Sequence, residues 1–236
     1  MKYPNYCEGV FLSRPNRFIA KVTIDGREET VHVKNTGRCR ELLLPGARVG
    51  LVYAKADNPA RKTAYDLISV YKEGLGWVNI DSQASNVVVK EYLESDTSLF
   101  GQATDGDLLK PEYTYGDSRV DFYLTRSDRR ILIEVKGCTL EIDGIGYFPD
   151  APTERGIKHL NELVAAIDDG YETYLAFVIA MPGITEVRPN MVTHPAFGEA
   201  LAKAKDRGVK VLFLSCAVSP DELVITGCSV APASPL

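Results

Sequence analysis

The chain has 236 residues, 45% of them hydrophobic and 25% charged, with a formal net charge of −5. That is an ordinary globular composition with room for one large domain or two modest ones. The cysteines (Cys7, Cys39, Cys138, Cys216, Cys228) are odd in number and lack any C-x-x-C pair, which speaks against a disulfide framework or a zinc ribbon. No apolar run approaches the roughly 20 residues a membrane helix needs, and the start MKYPNYCEGVFLSRPNRF has no leader pattern, so the expected setting is the cytoplasm with no membrane partner.

The charge is unevenly spread. Residues 1 to 72 hold 13 Lys and Arg against 7 Asp and Glu, leaving 14 against 25 for the rest. A basic N-terminal part suits a phosphate backbone, and an acidic C-terminal part suits carboxylates gathered for a divalent cation.

In chain order, residues 9 to 80 read as short strands: GVFLS, RFIAKVTI, a turn at Asp25-Gly26, ETVHVK, ARVGLVYA, AYDLISVY and GWVNI. Nothing there has helical period, and a small five-stranded oligonucleotide-binding (OB) barrel is the compact solution. From residue 83 the period changes. ASNVVVKEYLES reads as a helix, followed by strands near 108–114, 119–124 and 130–136 and then a glycine-rich link. Residues 154–169 space Ile157, Leu160, Val164 and Ile167 as a helix, with Thr153 as N-cap and Gly170 closing it. The strand YLAFVIA, a helix over 196–207 closed by Gly208, and the strand KVLFL complete the pattern. Strands apolar on both faces imply a central sheet covered on two sides. The expected organisation is therefore a barrel over 1–80, an α/β domain with a mixed sheet over 81–228, and a frayed tail over 229–236.

The chemistry concentrates in two strands. In ILIEVKG a period of two puts Leu132, Glu134 and Lys136 on one face; in SRVDFYL it opposes Val120, Phe122 and Leu124 to Arg119, Asp121 and Tyr123. The short link SDRR makes the strands antiparallel neighbours and brings Asp121 beside Glu134. Two carboxylates supply the hard oxygen ligands that Mg²⁺ or Mn²⁺ takes, with water and a substrate phosphate filling the remainder. Lys136 is then placed to hold or deprotonate an attacking water, and Glu112 in KPEYTYG is a further acid for metal or water. As a bare pattern the same residues also suit an ion pair on a sheet edge. The literal Pro149-Asp150 pair follows the E-x-K strand, so Asp121 is taken as the ligand. His32, His159 and His194 stand isolated in sequence, and Trp77 with Tyr53, Tyr65 and Tyr71 either stack bases or, more commonly, fill barrel core.

At GYFPDAPTERGIKHLNEL (146–163) the chain closely resembles the sugar fermentation stimulation protein family, as it does at RPNRF (14–18), HVKNTGRC (32–39), SRVDF (118–122) and IEVKGCTL (133–140). The resemblance implies an OB-like domain followed by a restriction-endonuclease-like, PD-(D/E)XK domain, and DNA binding. Carried over by position, it supports Asp121, Glu134 and Lys136 as metal and catalytic set with Glu112 upstream, and it highlights Glu154, Arg155 and Lys158. It also marks Asn35, Thr36 and Gly37 as a phosphate-contacting turn flanked by Lys34, Arg38 and Arg40, with Arg14 and Arg17 nearby. Where an H-x-P-N-T-G pattern is expected, this chain has Lys34. The implied function is a Mg²⁺-dependent nuclease acting on DNA, RNA not being excluded; the alternative is a non-catalytic DNA-binding regulator on the same fold. Oligomeric state is open, a homodimer included.

Overall fold

The computed structural model describes residues 1–35, 37–54, 60–95 and 98–232. The N-terminal strands are β1 (Tyr6–Asn16), β2 (Ile19–Ile24), β3 (Arg27–Val33), β4 (Arg48–Tyr53), β5 (Tyr65–Lys72) and β6 (Gly76–Asn79). They pair in the order β3-β2-β1-β4-β5-β6, and a parallel β3–β5 contact closes the first five into an OB-like barrel with β6 added to β5. Alternation drives closure: Ala20 and Val22 of β2 and Val31 and Val33 of β3 point inward and are essentially fully buried.

Helix α1 (Ala84–Glu94) leads into β7 (Leu109–Tyr115), β8 (Ser118–Arg126) and β9 (Arg129–Cys138). Two short strands, β10 (Leu140–Ile142) and β11 (Ile145–Phe148), precede α2 (Glu154–Asp168), β12 (Glu172–Ile179), β13 (Val187–Pro189), α3 (Pro195–Asp206), β14 (Lys210–Ser219) and β15 (Glu222–Val230). The main sheet runs β15-β14-β12-β9-β8-β7, parallel from β9 through β12 to β14 and antiparallel at both flanks. Ile131, Ile133 and Val135 of β9 pack with α1 on one face, while Leu132 faces the core shared with α2 and α3. The mixed sheet covered on both faces is the architecture expected from the apolar strands.

Local chemistry sets the helices. Thr153 Oγ1 accepts from the Gly156 N–H at 3.0 Å as N-cap of α2, and Gly170 follows its C-cap at φ +79°. The segment read as a glycine-rich link is instead the hairpin β10–β11, turning at Asp143 and Gly144, both at positive φ, with β11 running parallel to β13. The final strand also extends further than expected, since Ser229 and Val230 pair with Phe213 and Leu212 where the free tail was placed. Among the described residues no helix is long and apolar enough to cross a membrane, and all five cysteines are free.

Candidate active site

Phe122 lies opposite Ile133 at the end of the β8–β9 ladder, so the register sets Asp121, the next residue of β8, against the Glu134–Val135 step. There the Asp121 carboxylate accepts from the Val135 N–H at 2.7 Å and from Asn86 Nδ2 of α1 at 2.8 Å. Glu134 is 2% exposed, and its Oε1 is held by Lys136 Nζ and by His159 Nδ1 of α2. The Arg155 Nε–H donates to His159 Nε2 at 3.1 Å, so that nitrogen is the acceptor and Nδ1 carries the proton given to Glu134. One face of two adjacent strands thus gathers Asp121, Glu134 and Lys136, as period-two alternation requires.

The carboxylates are pushed in opposite directions. Burial raises the Asp121 carboxyl above its ordinary value and the charge of Glu134 adds to this, against the Val135 N–H, Asn86 and Lys136. Burial would raise Glu134 as well, but the His159 hydrogen bond and Lys136 outweigh it and hold this carboxyl below the usual range. With one lysine against two acids, the group suits an added cation, which would relieve the strain at Asp121. Among the described residues no cluster of three or more His, Cys, Asp and Glu encloses a metal-sized site. Two carboxylates that leave the remaining positions to water and phosphate fit Mg²⁺ or Mn²⁺, which keep most of their waters, better than zinc.

The other expected residues fall elsewhere. Glu112 is exposed, at φ 52° in β7, and its carboxylate pairs with Arg119 at 3.3 Å rather than with the Asp121 group. Lys158 pairs with Glu162 at 3.6 Å on the outer side of α2, and Glu154 lies 3.3 Å from His194 instead of pairing with Lys158. Among the described residues, Arg155 reaches the site through His159. That histidine, read from sequence as isolated, is the member of the site the strands could not reveal.

In the barrel loop, most expected phosphate ligands are structural. Arg14 donates to the backbone carbonyls of Arg17, Asn35, Gly37 and Arg38 at 2.7–3.0 Å, which occupies its guanidinium with the fold of the loop. Lys34 pairs at 2.7 Å with the buried Asp81, which also accepts from Tyr3 Oη at 3.2 Å. Asn35 Nδ2 donates to the Ile80 carbonyl at 2.9 Å while its Oδ1 accepts from the Gly37 N–H at 2.7 Å. Thr36 lies outside the described residues. Arg17, Arg38 and Arg40 are exposed, and none of the three is ion-paired among the described residues. The barrel aromatics are neither buried core nor free platforms: Tyr71 and Trp77 meet edge to face at 5.6 Å with Arg48 over both rings, and Tyr53 meets Tyr65 at 5.3 Å.

A cleft of about 520 Å³ separates the barrel from the C-terminal domain, lined among others by Arg17, Asn35, Arg38, Lys136, Tyr147 and Asp150. Asp150 ties its two sides together, because its Oδ2 accepts from the Arg38 N–H at 3.0 Å. Gly37 makes this approach sterically feasible, since a Cβ there would lie 2.3 Å from Asp150 Oδ2.

Residues 12–80 match the family model described as the SfsA N-terminal OB domain, and residues 83–222 match that of the sugar fermentation stimulation protein RE domain. The chain is 54% identical over 223 residues to the sugar fermentation stimulation protein homolog of Desulfitobacterium hafniense (strain DSM 10664 / DCB-2), covering 94% of each. It is 50% identical over 225 residues to the homolog of Clostridium beijerinckii, covering 95% of this chain and 96% of that one. A solved structure described as Pyrococcus furiosus SfsA in complex with Ca²⁺ shares the fold with a TM-score of 0.81 at 26% identity, over 97% of this chain and 96% of that chain.

Proposed function

The chain belongs to the sugar fermentation stimulation protein family, and on that footing we propose that it is a divalent-metal-dependent phosphodiesterase acting on DNA. The observation that carries this reading is the meeting of Asp121, Glu134 and Lys136 on one face of β8 and β9, with Glu134 oriented by His159. Asp121 and Glu134 would hold the cation, and the Ca²⁺ complex of the Pyrococcus relative supports a site for hard divalent ions. When bound, such an ion supplies positive charge beside the reacting phosphate.

The remaining work belongs to the chain's own side chains. Lys136 Nζ, bonded to Glu134 Oε1, would hold the attacking water and offset charge developing on the phosphate oxygens. Asn86 and the Val135 N–H fix the Asp121 carboxylate; His159 fixes that of Glu134. Arg17, Arg38 and Arg40, which have no ion-pair partner among the described residues, would supply positive charge for the DNA backbone.

Lys136→Ala tests the reading. Cleavage of labelled DNA in Mg²⁺ should fall by roughly 10²–10⁴-fold, the usual worth of a positioned proton-transfer group, while DNA affinity stays within a few fold. Wild-type protein that binds DNA but cleaves none under Mg²⁺ or Mn²⁺ would favour a non-catalytic DNA-binding regulator instead.

A further inference from the structure

We propose that the interdomain cleft admits a single strand of DNA and excludes the duplex, a selection built by the barrel loop rather than by the catalytic residues. This deepens the nucleic-acid reading above and rests on it. The cleft holds about 520 Å³, within the roughly 300–1,000 Å³ range of pockets for small ligands and therefore of nucleotide scale. A B-form duplex, whose major groove alone is about 12 Å wide, cannot enter it as a unit.

Arg38 N–H bonds Asp150 across the opening at 3.0 Å. The barrel wall is itself held in shape, since Asn35 bonds the Ile80 carbonyl and Ser82 Oγ donates to the Lys34 carbonyl at 2.6 Å. The Arg14 guanidinium holds the same loop from behind through four backbone carbonyls.

The lining has the two components that single-strand sites combine, a positively charged groove and an aromatic face. Arg17 and Arg38 line both this cleft and an adjoining pocket of about 300 Å³ that also holds Arg40, and Lys136, itself paired with Glu134, lines the cleft as well. Of the acids along the way, Asp81 is ion-paired with Lys34, and Asp150 accepts from the neutral backbone N–H of Arg38, leaving its charge among the arginines. Tyr147, half-buried in the β11 wall, offers a ring for a base. A flexible strand can turn its phosphates to the arginines and its bases to Tyr147, whereas a duplex keeps its bases stacked inside.

The test is fluorescence anisotropy on the full chain in EDTA, so that binding is read without cleavage. The probes are an oligothymidylate of about 20 nucleotides, longer than the roughly 4–16 that one OB fold covers, and a blunt hairpin duplex of matched length. The single strand should bind at least about tenfold tighter. Combining Arg17→Ala and Arg38→Ala, which removes two exposed guanidinium groups and leaves the loop's backbone bonds in place, should lower the salt slope for the single strand by about 1.4, at roughly 0.7 per phosphate. Tyr147→Ala should weaken the single strand alone, and Asp150→Ala, which unties the walls, should narrow the preference. Equal or tighter duplex binding by wild type, or a preference untouched by Asp150→Ala, overturns the inference. Single-strand preference without any metal-dependent cleavage would overturn only the phosphodiesterase reading; metal-dependent cleavage with duplex bound as tightly would overturn only this one.

Discussion

Gly37→Ala probes the joint between barrel and catalytic domain at its tightest point. The new methyl would sit 2.3 Å from Asp150 Oδ2 and 2.8 Å from Asn35 Oδ1, both below contact distance. Asp150 must withdraw from the Arg38 N–H, and the Asn35 bond to the residue-37 N–H is strained. A hydrogen bond to a charged acceptor nets about 1.5–3 kcal/mol and a neutral one about 0.5–1.5 kcal/mol. Because Arg38 is exposed and Asp150 only half-buried, the low end applies, and the loss should be about 2 kcal/mol. For a protein of this size that corresponds to a fall in Tm of about 4–8 °C, read by calorimetry or circular dichroism. A double-mutant cycle isolates the cause: once Asp150→Ala has removed the obstructing carboxylate, adding Gly37→Ala should cost much less than it does alone. An unchanged Tm for Gly37→Ala, or strictly additive losses in the cycle, would refute the argument.

Three other perturbations test individual side chains. His159→Ala should weaken Mn²⁺ binding at least tenfold by calorimetry, since second-sphere partners of metal ligands are commonly worth about 10–100-fold, and His159→Asn should recover part of it because its Nδ2 can replace the ring Nδ1; equal affinities in all three proteins would remove the positioning role. Arg14→Ala should lower stability by about 2–3 kcal/mol in urea titrations because four loop carbonyls lose their donor, whereas Arg38→Ala should leave stability unchanged and reduce the salt dependence of DNA binding. Glu172 is held down to about 2 by the Arg129 hydrogen bond, with Lys210 and Tyr174 helping. Its folded value lies below the unfolded one, so its stabilisation is present above about 4.5 and is lost as pH falls from there toward 2. The side chain is 34% exposed, and solvent screening limits the effect to under about 1 kcal/mol. The stability gap between wild type and Glu172→Gln, measured by denaturation at a series of pH values, should therefore close on acidification; a gap that is flat or widens would contradict the ion pair.

What could be read in advance was local in sequence. Alternation in SRVDFYL and ILIEVKG put Asp121 and Glu134 on adjacent strands of one face, and the Thr153 cap and Gly170 bounded α2 within a residue or two. The β10–β11 hairpin carried its own signal in Asp143-Gly144, which was subsumed in a run of glycines. His159 was not legible, because its partner Glu134 is 25 residues away and only the packing of α2 on β9 brings them together. The same holds for the Arg38–Asp150 bond, which spans 112 residues, and for Arg14 and Lys34, whose charge suggested phosphate but whose geometry serves the loop and Asp81. A cationic residue type sets what a side chain can bind, and tertiary packing decides whether that capacity is already used.

The most direct test of the central claim is a metal titration of single-stranded DNA cleavage by wild type and Asp121→Asn. Asparagine keeps the size of the side chain and an oxygen for the Val135 N–H but removes the charge. The account predicts cleavage by wild type that rises with Mg²⁺ or Mn²⁺, disappears in EDTA, and is lost in Asp121→Asn at unchanged DNA affinity. Cleavage that persists in EDTA, or that Asp121→Asn supports as well as wild type, would contradict it.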